Sequence, residues 1–376
     1  MRRIVYPNPI SKFKKEYYAI FKEDLPQLQR NWKALRHNNV FLRTYMPKNI
    51  KRILLADYDK LVRYYISFKN GCHLTANEKK DMEAIFNYDY YQPAIARFFM
   101  EKADELSLYT CFYCETAYIN VYTDGNFKLH LYELNTASDK EFKKLLNTKS
   151  DKTIKHMKGY RPFTSIESFN KAWKIGRKGN RKDKFETIYP SDFRNHFDLD
   201  HALDKGSCPL VGLSVMNFVP SCPTCNEKLK RSKVLGILNP LEYLSPTSPR
   251  YDFDGNVSIR FVQFGTYGKP LEVLDPAYAL NYSDNYYLRF EYQRKEYKTI
   301  VDTFKLHERY AFHKLEGLHW LVKKSKYNDT NIKMIANAFK SPLFTEFRIK
   351  EDLFQSEYDK KRHPCFSKFK RDILDE

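Results

Sequence analysis

Phe197-Asp198-Leu199-Asp200-His201, then Asn217-Phe218-Val219-Pro220-Ser221 and directly Cys222-Pro223-Thr224-Cys225-Asn226 decide how this chain is read. The first piece has the apolar–polar alternation of a short strand that ends at a histidine. The last is a Cys-x-x-Cys pair that opens a helix-like run, Asn226 to Arg231. It has an upstream counterpart in Cys111-Phe112-Tyr113-Cys114. Two such pairs can supply four thiolates to one Zn²⁺, which favours a tetrahedron of soft ligands. The pairs are 107 residues apart, far beyond the roughly 15–20 of a compact zinc ribbon. What lies between them is therefore expected to be an insertion, with the metal joining segments remote in sequence.

Upstream, residues 1 to about 105 read as mostly helical. Thr75-Ala76-Asn77-Glu78 is a capping-box pattern ahead of an apolar run from Met82 to Phe86. A further helix is expected after Pro93, with Ile95, Phe98, Phe99 and Ala103 near one face. After Cys114, Tyr118 to Leu131 alternates around Thr123-Asp124-Gly125-Asn126 and predicts a hairpin. Residues 141–190 show no clear periodicity but carry 14 Lys/Arg against 5 Asp/Glu, a net of +9. Lys174, Arg177, Lys178, Arg181 and Lys182 beside Trp173 suit a loop that tracks phosphates with one stacking platform. A solvated charged face explains the same run equally well. Lys228, Lys230 and Arg231 extend the basic set beyond the second cysteine pair.

From residue 236 onward, Tyr251 to Ile259 reads as a second Asp-Gly hairpin. A long helical region is expected after Ser283-Asp284, with Phe304, Ala311, Leu315, Leu318 and Val322 recurring at helical spacing. His307, His313 and His319 lack the spacing of a metal-ligand pair, and Cys72, Cys208 and Cys365 read as small buried apolar residues. The reading is thus an α+β chain in three parts: helical 1–105, a zinc-bound centre 106–235 with its basic insertion at about 141–190, and a hairpin plus helices over 236–376.

The formal charge of +19 favours a polyanionic partner, since cations gain by releasing counterions from phosphates. A Lys- and Tyr-rich composition can also reflect coding bias. No apolar stretch approaches the ~20 residues of a membrane span, and Met1 to Pro7 has no apolar core of a signal peptide. Seven cysteines, four of them in close pairs, fit a reducing cytoplasm and metal binding rather than disulfides.

The order Cys-x-x-Cys, Asp-His, Asn, Cys-x-x-Cys-Asn resembles that of HNH endonucleases with a zinc-bound ββα-metal core. The resemblance implies phosphodiester hydrolysis, with DNA a more natural substrate than RNA. His201 would be the general base, because an imidazole can take a proton from water near neutral pH. Asp200 and Asn226 would hold a Mg²⁺ or Mn²⁺ ion through oxygen. Asn217 would tie the loop and orient the His201 ring. Strand neighbours face opposite ways, so a shared site for Asp200 and His201 requires the strand to end or bulge there. The run after the histidine, Ala202-Leu203-Asp204-Lys205-Gly206-Ser207, departs from the family by placing Asp204 where many relatives have proline. A helical start leading into Cys111-x-Tyr113-Cys114, the Phe197 to His201 core, Leu306-His307-Glu308-Arg309-Tyr310 in a helical tail and the closing His363 to Leu374 more loosely resemble nuclease components of Septu or retron-associated anti-phage systems, which implies a separate ATPase subunit. Two rival classes are a non-catalytic zinc module that binds nucleic acid and a subunit whose zinc organises a protein-interaction surface.

Overall fold

The computed structural model describes residues 1–123, 127–175, 184–185, 193–236, 240–263, 281–356 and 363–375. The fold is α+β, with helices around three small antiparallel two-stranded sheets among the described residues. It divides into two compact units, one made of residues 1–120 and 196–376 and the other of residues 121–195.

The first unit opens with seven helices: α1 (Ile10–Ala19), α2 (Leu25–Asn38), α3 (Val40–Tyr45), α4 (Lys51–Leu54), α5 (Tyr58–Gly71), α6 (Ala76–Ile85) and α7 (Tyr88–Glu101). Thr75 caps α6 in a complete capping box with Glu78, as the sequence predicts. α7 begins five residues before Pro93 rather than after it, because Asn87 accepts from the Tyr90 amide and caps the helix there. Tyr91, Ile95, Phe98 and Phe99 form its buried face. Phe99 and Tyr17 press on Phe218, and the Tyr17 hydroxyl donates to the Leu213 carbonyl at 2.8 Å. The helical layer therefore packs on the segment that carries the His201 hairpin.

That hairpin is β3 (Asp198–His201) and β4 (Phe218–Ser221), with Asp200 opposite Val219 and His201 opposite Phe218. A helical segment, Thr224–Lys230, follows β4. It is wound in the wider π form, and the Arg231 amide reaches the Asn226 carbonyl five residues back. Further on, β5 (Val257–Gln263) pairs with β6 (Tyr286–Tyr292). Asp254 and Gly255, expected at a hairpin turn, lie instead in a short helix, Phe253–Asn256, fixed by the Asp252 carboxylate. The region after Ser283-Asp284 starts with strand β6 before turning helical from Lys298. Chain-terminal Ser367–Asp375 packs as a helix on β5, and the Asp372 carboxylate accepts from the Ile259 amide at 2.8 Å.

The second unit is the insertion. Short strands β1 (Val121–Thr123) and β2 (Phe193–Asn195) pair at its neck. The turn expected at 124–126 lies outside the described residues. Residues 127–131 are not the second strand of a hairpin, since they begin α8 (Phe127–Thr136). Three more helices follow in a stretch where periodicity was not evident: α9 (Asp139–Leu145), α10 (Asp151–Lys158) and α11 (Ile166–Lys174). Their apolar faces form a core of Leu134, Phe142, Ile154, Met157, Phe169 and Trp173, among others. Trp173 stacks parallel to Phe169 inside that core, so it is no platform for a nucleobase. Lys174 is exposed, while Arg177, Lys178, Arg181 and Lys182 lie outside the described residues.

Candidate metal centre and the histidine beside it

The four cysteines expected to share a metal converge. Cys111, Cys114, Cys222 and Cys225 are buried, with all four Sγ atoms within 4.8 Å of one another. Cys114 and Cys222 Sγ lie 4.0 Å apart, too far for a disulfide at about 2.05 Å. A zinc tetrahedron with Zn–S bonds of about 2.3 Å has S···S edges of about 3.8 Å, so the donor set and its size fit that ion. The sulfurs also accept hydrogen bonds in the manner of thiolates. The Cys222 amide donates to Cys111 Sγ (3.3 Å), the Thr116 hydroxyl to Cys114 Sγ (3.3 Å), and Arg309 reaches both Cys225 and Cys114 Sγ (3.3 Å each). Burial opposes ionisation of Cys114, yet the bonds from Cys111, Cys222 and Cys225 and the Arg309 charge hold its thiol well below the usual range. Tyr310 adds a bond from its hydroxyl to the Cys114 carbonyl at 2.8 Å. Arg309 and Tyr310 come from the Leu306–Phe312 helix, almost two hundred residues from the first cysteine pair, and no local pattern marks them as partners of the centre.

His201 sits at the end of β3 and is 8% exposed. The Tyr88 and Phe218 rings meet its ring edge-on, at centroid distances of 4.5 and 5.0 Å. Its Nε2 is 2.9 Å from the Gly212 carbonyl oxygen. A carbonyl can only accept, so Nε2 carries the proton and Nδ1 is left with its lone pair. Val211, the residue before Gly212, is held by Asn217, which is fully buried. The Asn217 amide donates to the Leu203 and Val211 carbonyls (3.0 and 3.1 Å), and its oxygen accepts from the Leu203 amide (2.8 Å). Asn217 thus closes the loop between the strands and positions His201 indirectly, through the Val211–Gly212 backbone rather than by touching the ring. A Cβ on Gly212 would lie 3.0 Å from the Pro209 carbonyl, so the tight loop favours glycine there. Asp204 folds inward on its own turn, accepting from the Gly206 and Ser207 amides.

Asp200 goes the other way. The strand neither ends nor bulges before His201, so the two neighbours face opposite sides of the hairpin. Asp200 is 3% exposed. It accepts from the Tyr113 hydroxyl at 2.6 Å and pairs with Lys230 Nζ at 3.0 Å. Lys230 also donates to the His201 carbonyl at 2.7 Å. Asn226 is half-buried and donates to Asp198 at 3.3 Å rather than sharing a partner with Asp200. Lys230, expected on the nucleic-acid face, is 1% exposed and is an internal counter-ion. Lys228 and Arg231 remain on the surface.

Burial drives the His201 pKa down to about 3; the Gly212 bond opposes the shift, and the Lys205 and Lys230 charges add to it. The folded pKa lies below the unfolded value near 6.5. The resulting stability is complete above pH 6.5 and is lost as pH falls toward 3. By pH 4.5 this one group costs about 2–3 kcal/mol. His201→Gln, which can still donate to Gly212, is expected to flatten the dependence of the urea midpoint between pH 7 and 4.5. An unchanged slope would show that His201 is not buried as the neutral ring.

Comparison with protein-family models, curated proteins and solved structures finds no match. Among the described residues, no helix is long and apolar enough to cross a membrane.

Proposed function

We propose that this chain is an HNH-type endonuclease that hydrolyses phosphodiester bonds, DNA in preference to RNA, with Zn²⁺ in its four-cysteine centre. The observation that carries the reading is His201: a neutral imidazole at a strand end, its Nε2 proton committed to Gly212 and Nδ1 left as the base. The order of strand, Asn217-tied loop, strand and helical segment, clamped by four cysteines, supports it further. In this reading His201 Nδ1 takes the proton of the attacking water, and the burial that holds its pKa at about 3 makes it a weak base at neutral pH. Zinc holds the hairpin to the first cysteine pair and has no part in the chemistry.

The resemblance adds a Mg²⁺ or Mn²⁺ ion on Asp200 and Asn226. The side chains as they stand do not fit it, because Asp200 is already neutralised by Lys230 and Asn226 serves Asp198. The same Lys230–Asp200 pair favours a second reading, a zinc-stabilised subunit that binds nucleic acid without cutting it.

Incubating the purified chain with plasmid, linear DNA and tRNA under Mg²⁺, Mn²⁺ or EDTA separates the two readings. Because His201 is packed between Tyr88 and Phe218, His201→Ala would also open a cavity, and His201→Gln is the cleaner variant. We expect it to lose about 10²–10⁴-fold of the cleavage rate while keeping its metal. Cleavage at the wild-type rate would remove His201 from the mechanism. Wild-type protein that binds but cleaves nothing under any ion would favour the non-catalytic subunit.

A further inference from the structure

We propose that two adjoining basic cavities on the N-terminal helices form a groove for the phosphodiester backbone of a nucleic acid. The first, about 440 Å³, is walled by Lys33, Lys48 and Arg52. The second, about 600 Å³, is walled by Arg52 again with Lys51, Lys60 and Tyr64. Arg52 lies where the two meet, so the five cations line one continuous concave strip rather than a convex face. Asp57 is the one carboxylate on these walls, and Lys14 already pairs with it at 2.5 Å. Lys51 rests over the Tyr18 ring. The side chains of Lys33, Lys48, Arg52 and Lys60 have no ion pair or hydrogen bond within the described residues. Uncompensated like charges in a concave wall repel one another and focus a positive potential into the cleft, which a polyanion relieves.

The wall is also rigid. The loop that carries Lys48 is pinned from α2 on several sides: Gln29 bonds the Lys48 carbonyl and the Ile50 amide, and Trp32 bonds the Pro47 carbonyl. Arg36 closes the same loop through the Leu42 and Met46 carbonyls. Beneath α4, the Ser214 hydroxyl donates to the Ile53 carbonyl at 2.9 Å. Ser214 lies two residues from Gly212, the partner of His201, so the groove and the histidine share one packed body. The pinned backbone fixes where these cations start, while their exposed side chains keep the rotamer freedom to follow a phosphate. The Arg52 fork can take a phosphate through two parallel bonds, and flanking lysines can serve its neighbours as point charges. The choice of nucleic acid over an acidic protein rests on the phosphodiester reading of the His201 site; the groove itself does not.

The test is binding of fluorescein-labelled duplex DNA and single-stranded DNA and RNA, measured by anisotropy across a salt series. The groove variant is Lys48→Gln/Arg52→Gln/Lys60→Gln, compared with Lys22→Gln/Lys80→Gln/Lys333→Gln, which removes the same charge from exposed sites elsewhere. The groove variant should bind about 10–100-fold more weakly near 0.1 M salt, and its log–log salt slope should flatten by about 2–3. The control should stay within about threefold of wild type. Equal losses in both variants, or no loss in the groove variant, would overturn the groove. So would a larger loss for polyglutamate than for any nucleic acid. If wild type binds through these residues yet never cleaves, the groove stands and the nuclease reading falls.

Discussion

Cys222→Ser or Cys114→Ser should leave the chain without its metal and without a protease-resistant centre. A structural zinc contributes on the order of 10 kcal/mol to folding, comparable with the ~5–15 kcal/mol by which a domain is stable at all. The geometry concentrates that contribution. The four sulfurs join the 111–114 loop to the end of the β3–β4 hairpin, and Arg309 and Tyr310 attach the Leu306–Phe312 helix to the same cluster. Tyr113, between the first two cysteines, stacks on Phe304 and bonds Asp200. Loss of one thiolate therefore loosens three remote segments together. Elemental analysis, circular dichroism and limited proteolysis would record it. A Ser variant that is metal-free yet melts with wild type would mean the cysteines merely pack.

Asp200→Ala should cost about 3–5 kcal/mol of stability, because it leaves the Lys230 ammonium buried without its counter-ion. It also strips the Tyr113 hydroxyl of its acceptor. Lys230→Met should cost a similar amount by isolating the carboxylate. Asp200→Leu/Lys230→Met, which removes both charges, should recover most of the loss, since a buried pair is often no better than apolar side chains of like volume. Urea unfolding of Asp200→Leu, Lys230→Met and the double variant forms a double-mutant cycle with a large coupling energy. If Asp200→Ala unfolds at the wild-type midpoint, Lys230 is not held against it. The consequence for function is direct: lost cleavage in Asp200→Ala would not by itself identify a metal ligand. Asp200→Asn, which can still accept from Tyr113 and Lys230, is the variant that separates charge from packing.

Much of the centre could be read without coordinates. Four cysteines in two Cys-x-x-Cys pairs have few fates in a chain of this kind, and thiolate chemistry, not fold, makes them converge. Thr75 and Glu78 cap a helix because the capping box is complete within four residues. The strand at Asp198–His201 and the α+β class followed from short-range patterning, whereas a role for Asn217 came only from the family resemblance and not from any local pattern. Tertiary structure alone decided the rest. The alternation over 118–131 looked like a hairpin, but strand pairing is non-local: β1 found β2 some seventy residues on, and residues from Phe127 went into a helix. Lys230 reads as one more surface cation until the hairpin turns the buried Asp200 toward it, and Trp173 as a stacking platform until α11 turns it into a core. Arg309 became a partner of the cysteines only because its helix folds back onto them. Composition and spacing determine which groups a chain can offer; which face each one meets depends on packing between segments far apart, and that is where the Asp200–Lys230 pair was decided.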